Sequence, residues 1–330
     1  MYIAHIPELV PIDITLLKDI LVKDYSFFSS HGVFYHEKNV LTPHLFNIEG
    51  QIWKDRRTKL TPLFTSGHIR YQAFSGRIVS YFSKVVNETI QYRENNNVQR
   101  NDFMQLMLQL KQEGSLVKED GPVDVKKTGA YITDKEILSE SFLIFLAGHE
   151  TSSSTSTFAL FALAQNPDIQ EKLRAEIYEV LERHDEKLGY DETLRKYPVA
   201  QIIPRRCTKD YKIKDTNIVI EKGTRIYIPV IGVHLDPEYY PDPERFDPEK
   251  FTPENKATRP DIAWMPFGAG PRQCLGMRFG LLQTKVALAS LLQKFKFTLN
   301  KVMKASYTAD PSTFVYMFKQ DVLLDATTVN

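Results

Sequence analysis

The chain has 330 residues, 42% hydrophobic, 25% charged and 12% aromatic, which is ample for a large core. Lys+Arg 42 against Asp+Glu 41 leaves a net charge of +1, so composition gives no bias toward nucleic acid or an acidic substrate. The only two cysteines, Cys207 and Cys274, exclude a disulfide framework and favour a reducing, cytosol-facing compartment. No apolar run approaches the length of a membrane span. The first residues, Met1 to Pro7, carry no signal-peptide pattern.

Ile12, Leu16, Leu17, Ile20 and Leu21 predict a short amphipathic helix over 12–24, and Phe34-Tyr35 a brief extended piece. A helix with Leu60 and Leu63 follows, in which Trp53 and Arg57 stand four apart and share a face. Helices are expected over 68–95 and 101–112, and a polar, glycine-containing surface loop over 113–130. Thr133 with Glu136 forms a capping box that opens a long helix from about 134 to Gln165, where Asn166-Pro167 begins the next. At 1.5 Å per residue such a helix spans roughly 45–50 Å. Its middle carries Ala147-Gly148-His149-Glu150-Thr151-Ser152. Glycine there costs about 1 kcal/mol against alanine, so it serves close packing or a site. A zinc-protease reading fails because position 153 is Ser.

An amphipathic helix over 167–184 leads to Glu192 and Arg195, spaced to pair on one helix face. Two short strands are expected within 211–230, a rigid proline-rich connection over 236–260, and a hairpin between Phe295–Leu299 and Phe314–Phe318. Between these lies Phe267-Gly268-Ala269-Gly270-Pro271-Arg272-Gln273-Cys274-Leu275-Gly276. The glycines and proline impose a tight turn, and the apolar stretch behind it reads as a buried helix. Cys274 precedes that helix N-terminus with Arg272 close by, and both features lower a thiol pKa. The loop is therefore expected to hold a thiolate. An inert core cysteine needs neither the glycines nor the arginine. Zinc lacks a second ligand at suitable spacing, and a dinucleotide loop lacks its third glycine, since position 273 is Gln.

The loop matches F-G-x-G-x-R-x-C-x-G at all six fixed positions and resembles the haem-binding signature of the cytochrome P450 monooxygenases, whose iron is held by cysteine thiolate. The resemblance implies a mainly α fold with a small β part and haem b as cofactor. Cys274 is then the iron ligand, and Phe267, Gly268 and Gly276 shape its loop. Arg272, Trp53, Arg57 and Arg205 serve the haem propionates. Ala147 and Gly148 open the long helix beside the iron, while Thr151 and Glu150 feed protons to dioxygen. Glu192, Arg195 and Arg245 form a buried cluster that braces the haem loop.

The same resemblance is to insect microsomal detoxification enzymes. It implies insertion of one oxygen atom into a lipophilic small molecule, with electrons from NADPH through NADPH-cytochrome P450 reductase, at the cytosolic face of the endoplasmic reticulum membrane. A thiolate-haem isomerase is disfavoured by Glu150-Thr151. Relatives of about 500 residues make this a single domain over 1–330 that is shortened. The N-terminal anchor, the lid helices after Thr65-Ser66-Gly67 and much of the segment between Lys187 and Glu192 are expected to be missing. The alternative reading is a non-catalytic remnant with impaired haem binding.

Overall fold

A computed structural model describes residues 2–3, 6–33, 40–61, 76–100, 102–114, 116–118, 121–123, 131–183, 191–303, 308–310 and 315–329. The extended piece expected at Phe34-Tyr35 and the stretch 68–75 lie outside them. In chain order the elements begin with strands β1 (Tyr2–Ile3) and β2 (Ile6–Leu9), then helix α1 (Ile14–Lys18), continued by a π turn over Asp19–Lys23. Helices α2 (Gly50–Leu60), α3 (Gly76–Asn96) and α4 (Phe103–Glu113) follow. After strands β3 (Leu116–Lys118) and β4 (Gly121–Val123) come helices α5 (Asp134–Gln165), α6 (Pro167–Arg183) and α7 (Asp191–Lys196). The carboxyl-terminal half holds strands β5 (Ile202–Arg206), β6 (Tyr211–Lys212), β7 (Val219–Ile220) and β8 (Arg225–Pro229), and helices α8 (Val230–His234), α9 (Pro253–Ala257) and α10 (Met277–Leu292). Strands β9 (Phe295–Leu299) and β10 (Leu324–Thr328) end the described elements.

The fold is mainly α with a small β part, as expected. One sheet has the order β1-β2-β8-β5, with β2 and β8 parallel and the other pairs antiparallel. Three expectations are corrected. The 113–130 stretch contains the antiparallel pair β3–β4. The 211–230 region makes three strands instead of two. β9 pairs with β10, not with the stretch ending at Phe318. That stretch is apolar at every position, so it packs instead of alternating. Tyr316 and Phe318 lie against Phe158 of α5, with ring centroids 5.1 and 4.8 Å apart.

α5 is the axis of the molecule and touches α3, α4, α6, α7, α10 and β9. Its start is fixed by the expected capping box. The Thr133 hydroxyl accepts from the Glu136 N–H, and the Glu136 carboxylate accepts from the Thr133 N–H at 2.9 Å. Its first half packs with α2, α3 and α4, and its second half with α6, α7, α10 and β9. From α6, Arg174 donates to the carbonyls of Leu292 and Phe295. This satisfies an orphan acceptor at the end of α10 and locks β9 in place.

α10 corrects a further expectation. Thr284, Leu288 and Leu292 are buried, but Phe279, Leu282 and Val286 are exposed, the last two at 55% and 56%. Only one face of this apolar helix meets α5; none of the other described elements covers the opposite face.

Near the start of α5, Glu140 is fully buried. Its Oε1 accepts from the Leu45 N–H at 2.9 Å and from Arg56 at 3.3 Å, while Arg56 also binds Glu136 at 2.9 Å. Burial pushes Glu140 up to about 8 against the pull of Arg56. Folding therefore binds a proton here. The stabilisation is complete below the ordinary value of 4.5 and is lost as pH rises through about 8. Across that window the loss amounts to up to roughly 5 kcal/mol. Glu140→Gln should flatten this alkaline decline. Thermal melting below and above the window measures it, and an unchanged slope would contradict the assignment.

Candidate active site

The loop before α10 is tightly folded. Gly268 and Gly270 take φ of 70° and 71°, a region that side chains avoid. A Cβ on Gly270 would collide with the Leu21 carbonyl oxygen, so glycine is required where the loop meets the amino-terminal π turn. Gly268 N–H donates to Met265 O at 3.0 Å, Gln273 N–H to Gly270 O at 2.9 Å, and Cys274 N–H to Phe267 O at 2.8 Å. These bonds hold Cys274 one turn ahead of α10, facing a cleft.

Cys274 does not have the depressed pKa expected of it. Burial pushes its thiol up to about 12, against the Gly276 N–H and Arg57, which pull it down. Arg272 does not turn toward the sulfur. Its guanidinium donates to the carbonyls of Ser29, Leu45 and Ile48 and stacks on Trp53 at 4.0 Å. A thiolate here thus needs a cation inside the cleft, and a coordinated metal ion deprotonates a thiol outright.

Opposite the loop, Gly148, Thr151, Ser152 and Thr155 of α5 line the cleft. A Cβ added at Gly148 would meet nothing within 4 Å. This glycine therefore leaves room at the cleft, and close helix packing does not explain it. Thr151 Oγ1 donates back to Ala147 O at 2.6 Å, and Thr155 repeats the pattern to Thr151 O at 2.7 Å. Such back-bonding bends a helix slightly. Ala147 is buried. Neither it nor Glu150 is among the residues that line the cleft.

Three cations gather beside this space. Arg57 lies 5.8 Å from the Trp53 ring, on the shared face expected, and donates to Gln273 O at 2.9 Å. Arg205, on β5, lines the cleft and is 2% exposed. Its Nη1 donates to the adjacent Pro204 O at 2.8 Å, and its Nε has no hydrogen-bond partner among the described residues. Burial, then the nearby Arg272, lower Arg205 to about 9. Burial likewise lowers Arg272 to about 10. Within the described residues none of the three makes a salt bridge. Buried, unpaired guanidinium is costly, so the cleft is electrostatically suited to an anion, and Arg offers a carboxylate its fork of donors.

Glu192 and Arg195 are both fully buried on α7. Arg195 Nε and Nη2 donate to the two carboxylate oxygens at 2.7 and 2.6 Å. The remaining donors reach the carbonyls of His234, Pro243 and Arg245. The expected third member is corrected here. Arg245 contributes its carbonyl, while its side chain is 69% exposed and faces Asp247 at 3.8 Å. The Glu192 carboxylate is already occupied by Arg195 and by the Asp247 N–H at 3.0 Å, which leaves no place for a second guanidinium.

Phe267, Gly268, Arg272 and Gly276 also line the cleft. Its other walls come from segments without a sequence signal: His31 with Phe46, the Ile202-Ile203 edge of β5, Gln283 and Thr284 of α10, and Val315. Only the fold brings these together. An apolar cleft with a thiol on one side, a clearance at Gly148 and unpaired arginines beside it fits a flat, carboxylate-bearing, metal-centred group such as haem.

The family model for cytochrome P450 matches residues 70–317. The chain is 33% identical over 430 residues to cytochrome P450 6a8 of Drosophila melanogaster, covering 98% of this chain and 84% of that one. It is 31% identical over 435 residues to cytochrome P450 6A1 of Musca domestica, with 98% and 84% covered. To cytochrome P450 6B4 of Papilio glaucus it is 31% identical over 424 residues, with 98% and 85% covered. These alignments are longer than the chain itself, so about a hundred positions of each relative face internal gaps. With its fold, its cysteine loop and these relatives, the chain belongs to the cytochrome P450 family of haem-thiolate monooxygenases, in its insect branch.

Proposed function

We propose that this cleft holds haem b and oxidises a lipophilic small molecule. The observation that carries the reading is the pair of buried arginines, Arg205 and Arg272, without carboxylate partners beside the cleft that Cys274 faces. Cys274 would bind the iron through sulfur, and Arg205 Nε would take a propionate. Arg57 and Trp53 would brace the loop from α2, with Arg272 stacked between. Phe267, Gly268 and Gly276 would form the wall behind the sulfur. When bound, the haem supplies the chemistry that inserts one atom of dioxygen into the substrate. The protein's part is to exclude water with the apolar walls and to manage protons.

Thr151 holds a proton at Oγ1, which Ala147 O anchors in the resting geometry. Glu150, the preceding residue on α5, would restore that proton. Electrons would come from NADPH through NADPH-cytochrome P450 reductase, and the site of action would be the cytosolic face of the endoplasmic reticulum. No helix among the described residues is long and apolar enough to cross a membrane.

A second reading has its own observation. On it, residues 1–330 would be one cytochrome P450-like domain without the lid helices and part of the lead-in to Glu192; the internal gaps against the insect relatives and the exposed apolar face of α10 favour it. Exposed contiguous apolar surface favours aggregation. On this reading the chain is a remnant that retains haem poorly.

Three outcomes are expected. Cys274→Ala should abolish the thiolate-type ferrous–CO spectrum; an unchanged spectrum would remove Cys274 from the iron. Thr151→Ala should leave haem binding intact while NADPH-derived electrons emerge as hydrogen peroxide. Because general acid catalysis contributes typically 10²–10⁴-fold, product per NADPH should collapse, and a yield equal to the parent's would contradict the role. Haem per polypeptide decides between enzyme and remnant. If a chain carrying a relative's absent segments holds much more haem than this one, the remnant reading stands. Equal, full occupancy would leave the enzyme reading alone.

A further inference from the structure

With the Arg245 side chain outside, the connection from the Glu192–Arg195 pair to the cysteine loop passes through a histidine. His234 ends the short helix α8 and is fully buried. Arg195 Nη1 donates to the His234 carbonyl at 2.9 Å. In return, His234 Nδ1 lies 3.2 Å from the Arg195 carbonyl oxygen. On the far side of the ring, the Met265 N–H donates to His234 Nε2 at 3.0 Å.

These two contacts fix the tautomer. A carbonyl oxygen requires a proton on Nδ1, and an incoming N–H requires a lone pair on Nε2. Neutral imidazole satisfies both, and an imidazolium would set two N–H groups against each other at Met265. Burial, with Arg195 and Arg259 nearby, lowers His234 to about 3, consistent with that state. Met265 is the anchor of the loop, because its carbonyl accepts from Gly268 N–H at 3.0 Å, and the next link is Cys274 N–H to Phe267 O. Tyr240, which packs near the His234 ring, donates to Ala263 O at 3.1 Å and steadies the same strand of chain.

We infer that His234 is a positioning residue for the cysteine ligand: as the Nδ1–H tautomer it transmits the geometry of the Glu192–Arg195 pair to Met265, and so holds the loop that presents Cys274. The inference rests on Cys274 ligating the haem iron.

Two substitutions divide the ring's contacts. In His234→Gln the side-chain oxygen reaches the Nε2 position and can still accept from Met265. In His234→Asn the amide reaches only the Nδ1 position, so Arg195 O keeps a donor and Met265 loses its acceptor. The readout is the ratio of thiolate-type to non-thiolate-type ferrous–CO bands in haem-loaded protein, normalised to bound haem. His234→Asn should lower the ratio roughly tenfold, the equilibrium weight of one buried hydrogen bond. His234→Gln should stay close to the parent.

Equal ratios in parent and His234→Asn would overturn the role of His234. A parent without the thiolate band would instead overturn ligation by Cys274. Should either variant fail to fold, nitrogen-15 NMR of histidine-labelled parent protein decides. A protonated Nδ1 with a bare Nε2 supports the inference, and the opposite tautomer or an imidazolium overturns it.

Discussion

The ion pair between Glu192 and Arg195 is the constraint on which the carboxyl-terminal half of the molecule depends. Both side chains are fully buried and bidentate, and Arg195 also gathers three carbonyls from α8 and the proline-rich connection. Removing one partner of such a pair costs about 3–5 kcal/mol, because the other is left charged and alone. The segments it collects lie far apart in sequence and contain little regular structure of their own. Without that anchor Met265 loses the contact that ties it to α7 through His234, and the turn that carries Cys274 loses part of its base. Glu192 sits in the first turn of a six-residue helix and Arg195 in its last. Its stability thus comes from the carbonyls around it and not from helical context.

The cleft poses the reverse problem. There, charge is buried without a carboxylate in salt-bridge contact among the described residues. Arg205 and Arg272 are driven toward neutrality by burial, and the Cys274 thiol is driven toward its protonated form. A group bringing both a cation for the sulfur and anions for the guanidiniums relieves all of them together. This is why electrostatics and shape point to the same occupant.

Much of this was legible in the sequence. The capping box at Thr133, the apolar length of α5 and the break at Asn166-Pro167 are local signals, and they place both ends of that helix. The cysteine loop is legible for the same reason, since its glycines answer to backbone geometry within ten residues. What escaped depends on distant partners. The direction of the Arg245 side chain is decided by whether the Glu192 carboxylate has room. The pairing of β9 is decided by the aromatic side chains at 316 and 318, which are drawn onto α5. The Cys274 pKa follows from burial, which no neighbouring residue type reports, and a stretch such as Gly232-Val233-His234 carries no mark of its role.

The gaps of about a hundred positions against the insect relatives bear on the same physics. The cysteine loop and the cleft it faces are present, whereas an apolar face of α10 lies open. Haem binding therefore rests on whether the residues present hold Cys274 toward iron. X-ray absorption at the iron edge of haem-reconstituted protein tests this most directly. The account predicts one sulfur scatterer at bonding distance beside the porphyrin nitrogens. An iron surrounded by nitrogen and oxygen alone would contradict it.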